Sequence, residues 1–388
     1  MASQTWFKIN IFLLSWLLLI LPASSLIRPT NIFPRGETFQ KDQTIPGTVY
    51  RQPMNIFSGN NNLDGPQLEN YDVNSFELWY FDAISHDLRY SITIIFYTGL
   101  KSSFPFRLDT DNVPVVGVFY YSDSYGYDEV WLNATQATIS TEDNGSSGEF
   151  NSGASWSGSP DLSQYHITIN STENDISGTF RLNSRAPAQY PNAKAIANQS
   201  MLVTPDIGWS NAVPDADSIV DFTIRGREIE FKGLGYHDNK WSNQPFNQSV
   251  NSWYWGHGRL GNYSIVWSDC LSRGNNENQA SYLSQDNSII SSSNVITVRP
   301  NDTEFPPTIN GTDPAGFTIV MGLPYGATLN VNVTLKAIVA DFGAPYSLKR
   351  WLGSMEGNIT SANSTIALLT GGFAMLEQYV IRDITDVK

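Results

Sequence analysis

The stretch GLGYHDNKWS, Gly233 to Ser242, sets His237, Asp238, Asn239, Lys240 and Trp241 directly behind two glycines. Imidazole beside carboxylate suits proton transfer, because histidine titrates near neutral pH and a carboxylate can orient it. A second run, SWYWGHGRL, carries Trp253, Trp255 and His257, and NYSIVWSD follows with Trp267 and Asp269. A third, FELWYFDAIS, holds Glu77, Trp79, Tyr80 and Asp82. Aromatic walls with a few polar groups are the usual make-up of a small-molecule site. Together these residues offer hydrogen-bond or proton donation to a substrate held in an aromatic hollow.

Strands must position these groups. Period-2 alternation recurs along the chain, and helical periodicity is almost absent. In TLNVNVTLKAIV, Leu329, Val331, Val333, Leu335, Ala337 and Val339 share one face, with Asn330, Asn332, Thr334 and Lys336 on the other. In EIEFKGLGYH, Ile229, Phe231, Gly233, Gly235 and His237 share the inward face, and Asp238 points the opposite way. The two glycines leave room there for a ligand or for close backbone approach. Trp253, Trp255 and His257 share a face of the next strand. Glu77 and Asp82 lie on opposite faces of a strand that is bulky on both sides. Such a strand is covered on both, and a buried carboxylate must be paired, hydrogen-bonded or neutralised. A structural account stays open for each: core histidines bonded to carbonyls, tryptophans filling a core, carboxylates accepting N–H bonds.

Gly, Asn, Ser and Pro clusters between the runs fit an all-β chain. The irregular stretch from Ala186 to Ala216, with Pro187, Pro191, Pro205 and Pro214, is the expected connection between two β-domains, 26–216 and 217–388. SLKRWLGSM, which carries Lys349 and Trp351, reads as a helical turn or a loop over a barrel mouth.

The 388 residues allow sizeable cores. The start, WFKINIFLLSWLLLILPASS, joins one Lys to an apolar run and small residues, the pattern of a signal peptide over 1–25. The run is too short to span a bilayer comfortably, so no membrane anchor is expected after cleavage. Sequons at Asn133, Asn144, Asn170, Asn198, Asn247, Asn262, Asn301, Asn310, Asn332, Asn358 and Asn363 agree with passage through the secretory pathway and with N-linked glycans. Cys270 is the sole cysteine, so no intrachain disulfide can form. A net charge of −14 argues against nucleic acid and anionic membranes as partners. The four histidines stand at no metal-ligand spacing, and no metal site is expected.

ELWYFDAIS (77–85), GWSNAVPDAD, GLGYHDNKWS (233–242) and WYWGHGRLGNYSIVWSD (253–269), in this order, resemble the fungal Diels–Alderase family. That family is related in turn to the carotenoid 1,2-hydratase (hydroxyneurosporene synthase) group. The resemblance runs from about Asn55 to Ile381 and implies an N-terminal β-sandwich and a C-terminal lipocalin-like β-barrel, with a hydrophobic pocket between or within them. It also implies a pericyclase that uses no cofactor and acts on a reactive polyene or quinone methide of secondary metabolism. By position, it places Glu77, Trp79, Tyr80, Asp82, His237, Asp238, Trp241, Trp255 and His257 near the pocket. The family's GYHDxNWG reads GYHDNKWS here, and His257 stands where decalin-forming relatives tend to have Arg. These departures, with the signal peptide and sequons, resemble the secreted hetero-Diels–Alderases, which join a tropolone quinone methide to a humulene-type alkene.

The expected mechanism holds two reactants face to face between Trp79, Trp253, Trp255, Trp267 and Trp351, recovering entropy and excluding water. A donor to the heterodiene oxygen is expected from His257 or His237, with Lys349 as the basic alternative and Asp238 or Glu77 orienting it. The rival readings are an intramolecular decalin-forming Diels–Alderase, an isoprenoid hydratase, and a lipocalin-like carrier of a hydrophobic metabolite. A glycoside hydrolase needs two carboxylates across a cleft, and the tight pair Glu228 and Glu230 faces outward.

Overall fold

A computed structural model describes residues 40–49, 63–196, 199–362 and 364–384. The expected signal peptide and the sequons at Asn198 and Asn363 lie outside the described residues. Regular structure among those described is almost entirely strand, as the alternation predicts.

The first sheet takes β1 (Gln40–Pro46), β2 (Phe76–Ser85), β3 (Tyr90–Gly99), β4 (Pro114–Ser122), β5 (Gly126–Asn133), β6 (Gln136–Glu142) and β7 (Gly145–Phe150). It continues through β8 (Ala154–Gly158), β9 (Gln164–Ser171), β10 (Ile176–Ser184), β11 (Gln189–Tyr190), β12 (Ala193–Lys194), β13 (Gly208–Ile224) and β14 (Arg227–Ser242). A single helical turn, α1 (Phe246–Ser249), leads into the second sheet. That sheet comprises β15 (Val250–Leu260), β16 (Tyr263–Ser272), β17 (Glu277–Gln285), β18 (Ser288–Ser293), β19 (Ile296–Asn301), β20 (Gly316–Gly322), β21 (Ala327–Phe342), β22 (Ser347–Ser361) and β23 (Ser364–Val380). The spatial order of the first sheet is β1-β6-β7-β8-β9-β10-β13-β14-β2-β3-β4-β5, with β11 and β12 at its side. That of the second is β18-β17-β16-β15-β23-β22-β21-β20-β19.

Each sheet curls around a core of its own, and a third core fills the seam between them. The first sheet folds over so that Trp79 of β2 and Phe96 of β3 meet Trp156 of β8, with ring centroids 5.4 and 4.6 Å apart. The second encloses Trp267, Phe317, Trp351 and the inward face of β21, including Leu329, Val331 and Val333. The seam takes Leu78 and Tyr80 from one sheet and Trp253, Trp255 and Leu352 from the other. Strands β2 and β15 are buried along almost their whole length for this reason: one face serves a sheet's own core, the other the seam.

Three expectations change. The proline-rich connection leaves β10 and returns to β13, its neighbour in the same sheet, so it is an excursion within one unit. The changeover between sheets falls at 243–249, and the expected division at 216/217 lies inside β13. SLKRWLGSM is neither helical turn nor loop but the start of β22.

Candidate functional site

The register lays out the seam row by row. On the first sheet, Tyr80 pairs with Asp238 of β14 and Ile95 of β3. One step along, Leu78 pairs with Lys240 and Tyr97. On the second sheet, Trp255 pairs with Glu377 of β23, which pairs with Arg350 of β22, and Trp253 pairs with Tyr379. The two layers meet edge to face, Tyr80 and Trp255 at 5.3 Å between centroids.

A hollow of about 20 Å³ opens in this seam. Tyr80, Tyr97, Trp253, Trp255 and Tyr379 form its aromatic wall, Leu78, Ile95, Phe104 and Phe246 complete the apolar lining, and Lys240 and Glu377 supply its charges. That volume holds roughly one water. A substrate therefore enters only when side chains move, and Phe104 and Phe246, which come from the loop after β3 and from α1, pack on each other at 5.1 Å between centroids.

Lys240 is fixed from two sides. Its ammonium lies 2.8 Å from Asp238 Oδ2, 4.7 Å from the Trp255 ring centroid and 5.2 Å from that of Tyr80. Trp209 Nε1 and the Tyr236 hydroxyl donate to the same Asp238 oxygen at 2.7 and 2.8 Å. Across the hollow, Arg350 Nε donates to Glu377 Oε1 at 2.5 Å, and both residues are 2% exposed. The Arg350 guanidinium lies over the Tyr80 and Phe119 rings. Burial holds the Tyr80 hydroxyl protonated, the Arg350 charge opposing and those of Asp82 and Glu377 reinforcing. The indole N–H groups of Trp253 and Trp255 are buried without a hydrogen-bond partner, which costs free energy unless a ligand or water takes them.

Of the residues singled out in the sequence, Tyr80, Trp253 and Trp255 line the hollow. Asp238 stands behind it, holding Lys240. His257 sits deeper in the seam, stacked on Tyr236 at 4.5 Å and 2.9 Å from Asp82 Oδ2. His237 points inward as expected, but into the first sheet's own core. There it stacks on Phe81 at 3.9 Å, with Nδ1 3.0 Å from the Tyr80 carbonyl and Nε2 3.0 Å from Asp64. Glu77 is also in that region, accepting from the backbone of Gln67 and Leu68, from the Tyr71 hydroxyl and from Asn239. Trp79 and Trp241 fill the first core, and Trp267 and Trp351 the second. Lys349 is partly buried, with its side chain 22% exposed, and is paired with Asp313 at 2.6 Å and Asp341 at 3.7 Å. None of these seven reaches the hollow. The glycines are spent on packing: a Cβ on Gly233 would strike the Ile84 carbonyl, and one on Gly235 the Leu182 side chain. They serve backbone approach, not ligand space.

Sequence reasoning missed Glu377 and Arg350 as well as Phe104 and Phe246, and treated Lys240 only as a polar neighbour. The parity that put His237 inward also sets Tyr236, Asp238 and Lys240 on the opposite face, which was the available signal. A lone Glu in the apolar run AMLEQYV was the other.

Residues 37–340 match the family described as Diels-Alderase-like. The chain is 32% identical over 324 residues to a quinolone epoxide rearrangement protein of Penicillium thymicola, covering 79% of this chain and 87% of the relative. A quinolone epoxide rearrangement protein of Emericella nidulans is 28% identical over 354 residues, covering 86% and 91%. A Diels-Alderase of Pyricularia grisea is 25% identical over 185 residues, covering 46% and 43%. In fold, the chain is similar to the crystal structure of CghA, with a TM-score of 0.72 at 12% identity over 89% of this chain and 100% of that one. The matched residues 37–340 take in Tyr80, Lys240, Trp253 and Trp255, so most of the hollow's wall lies in the shared part, and the chain belongs to the Diels-Alderase-like family.

Proposed function

We propose that the protein rearranges an epoxide carried by an aromatic, quinolone-like small molecule. One observation carries this reading: Lys240 places a fixed cation in the wall of an otherwise aromatic hollow. An ammonium has three N–H donors, and Asp238 orients it while leaving others for an epoxide oxygen. As the C–O bond breaks, its electron pair moves to the oxygen facing Lys240. The carbon left positive faces the Trp255, Trp253 and Tyr80 rings, whose π-systems favour cations. Migration of a neighbouring group or loss of a proton then gives an isomer of the substrate, so no oxidant or reductant is consumed. The names of the two relatives matched over most of their length support the same chemistry.

A second reading keeps the site and changes the reaction. In a hetero-Diels–Alder addition of a tropolone quinone methide to a humulene-type alkene, Lys240 would donate to the heterodiene oxygen, and the family match supports it. Passage through the secretory pathway with N-glycans belongs to either reading, supported by the exposed sequon residues Asn133, Asn170, Asn262, Asn310 and Asn332.

Purified protein is incubated with a quinolone bearing a side-chain epoxide, and separately with a quinone methide precursor and humulene. Isomerisation of the first at unchanged mass is expected, with kcat falling about 10²-fold or more in Lys240→Met. Turnover of the second alone, as an adduct with the summed mass of humulene and the quinone methide formed by loss of water from its precursor, transfers the assignment to the cycloaddition. Unchanged kcat in Lys240→Met removes the ammonium from either mechanism.

A further inference from the structure

Glu377 is the hollow's other charged group, and the reading above gives it no task. Burying a carboxylate and a guanidinium together is an expensive way to hold a fold, since well-packed apolar residues commonly do as well. The pairing is not arranged for greatest strength either. Both Arg350 contacts, from Nε and from Nη2, converge on Glu377 Oε1, whereas a two-pronged pair would engage both carboxylate oxygens. Arg350 Nη1 is left buried without a partner. The guanidinium is held in place by the Tyr80 and Phe119 rings, so it presents Glu377 in one orientation. The nearest ionisable neighbours on the packed strands are Lys240 of β14, Tyr80 of β2, Tyr97 of β3 and Tyr379 of β23 itself. Trp255 lies between the two charges: the Lys240 ammonium sits over its ring, and Glu377 is its register partner on β23.

We propose that Glu377 is a catalytic base, removing a proton from the carbon next to the cationic centre, and that Arg350 is the residue that positions it. The step rests on the epoxide reading. Lys240 gives a proton to the epoxide oxygen, the C–O bond breaks, and that oxygen becomes a hydroxyl. Glu377 takes the proton from the adjacent carbon, and the C–H electron pair closes a double bond to the cationic carbon. The product is an allylic alcohol isomeric with the epoxide, and water returns the proton from Glu377 to Lys240 as product leaves.

The test uses the full-length protein and a quinolone side-chain epoxide deuterated at the carbon that loses its proton. Wild type should show a primary isotope effect on kcat, and Glu377→Gln should lose about 10²-fold or more in kcat with KM little changed. Arg350→Lys keeps the charge but not the fork, and should lower kcat while leaving KM in place. A role in packing alone would lower the melting temperature and leave the kcat of folded protein untouched, which would overturn the assignment of Arg350. Wild-type kcat in folded Glu377→Gln, with Lys240→Met impaired, overturns the base while the epoxide reading stands. An epoxide that wild type does not isomerise ends both. Should Glu377→Gln not fold, Glu377→Asp decides: a reduced kcat supports the base, and wild-type kcat overturns it.

Discussion

His257 Nε2 stands 2.9 Å from Asp82 Oδ2, and the contact fastens β15 of one sheet to β2 of the other with neither side chain exposed. Tyr236 stacks on one side of the imidazole, and Trp255 lies 5.5 Å away between centroids. The pair is thus a rivet in the seam, and neither residue lines the hollow. His257→Ala leaves Asp82 buried without its partner and should cost about 3 kcal/mol of stability, read from urea unfolding. The kcat of the folded fraction should be unchanged. A folded variant of normal stability with altered stereochemistry would return the imidazole to the mechanism.

Trp255→Phe deletes a buried indole donor that meets no acceptor of the protein. The smaller ring gives up packing, partly offset by relief of the unpaired donor, so the melting temperature should fall by a few degrees, and ligand binding should weaken about tenfold, the equivalent of one hydrogen bond. Titration calorimetry with the rearranged quinolone product measures it; equal affinity in the variant shows that the indole N–H never meets ligand.

Stability should fall as pH rises from about 5 to about 8. Burial pushes the Glu77 carboxyl up to about 7, outweighing the hydrogen bonds from Gln67, Asn239, Tyr71 and Leu68 that pull it down. Burial, and then the charge of Glu277, pushes Asp269 up to about 7 as well. Both groups hold a proton more tightly folded than unfolded. Their stabilisation is complete below the ordinary carboxyl range and is lost as pH climbs through the folded value. A carboxyl moved from 4.5 to about 7 is worth about 3 kcal/mol by this linkage. Glu77→Gln should flatten part of that fall in urea midpoint, and a parallel curve would contradict it.

Asn144 is 1% exposed within the turn that joins β6 to β7, so its sequon has no room for a sugar in the folded chain. Protein made through a eukaryotic secretory pathway should carry glycans on exposed sequons such as Asn133 and Asn332 and none on Asn144. Peptide mapping after glycosidase treatment reads each site. A glycan on Asn144 of folded protein would contradict this packing.

The strands were legible because alternation survives wherever one face meets water, as in β21, where Leu329, Val331 and Val333 point in and Asn332 points out. The aromatic richness of β2, β14 and β15 was legible too, but not which of three cores each ring enters. On a strand buried on both faces, parity separates His237 from Asp238 without saying which face belongs to the sheet's own core. That ambiguity placed His237 and Trp79 by the hollow, which they do not line, and passed over Lys240, which does. Arg350 was hidden for another reason: it meets Glu377, 27 positions on, only through the register of β22 and β23, which its own neighbours in the chain do not announce.

With an aromatic centre inside each half, each sheet has packing of its own besides the boundary residues. Exchanges among Phe104, Phe246, Trp253 and Tyr379 would reshape the boundary hollow without touching either inner core. One architecture can in this way carry different chemistries at the join.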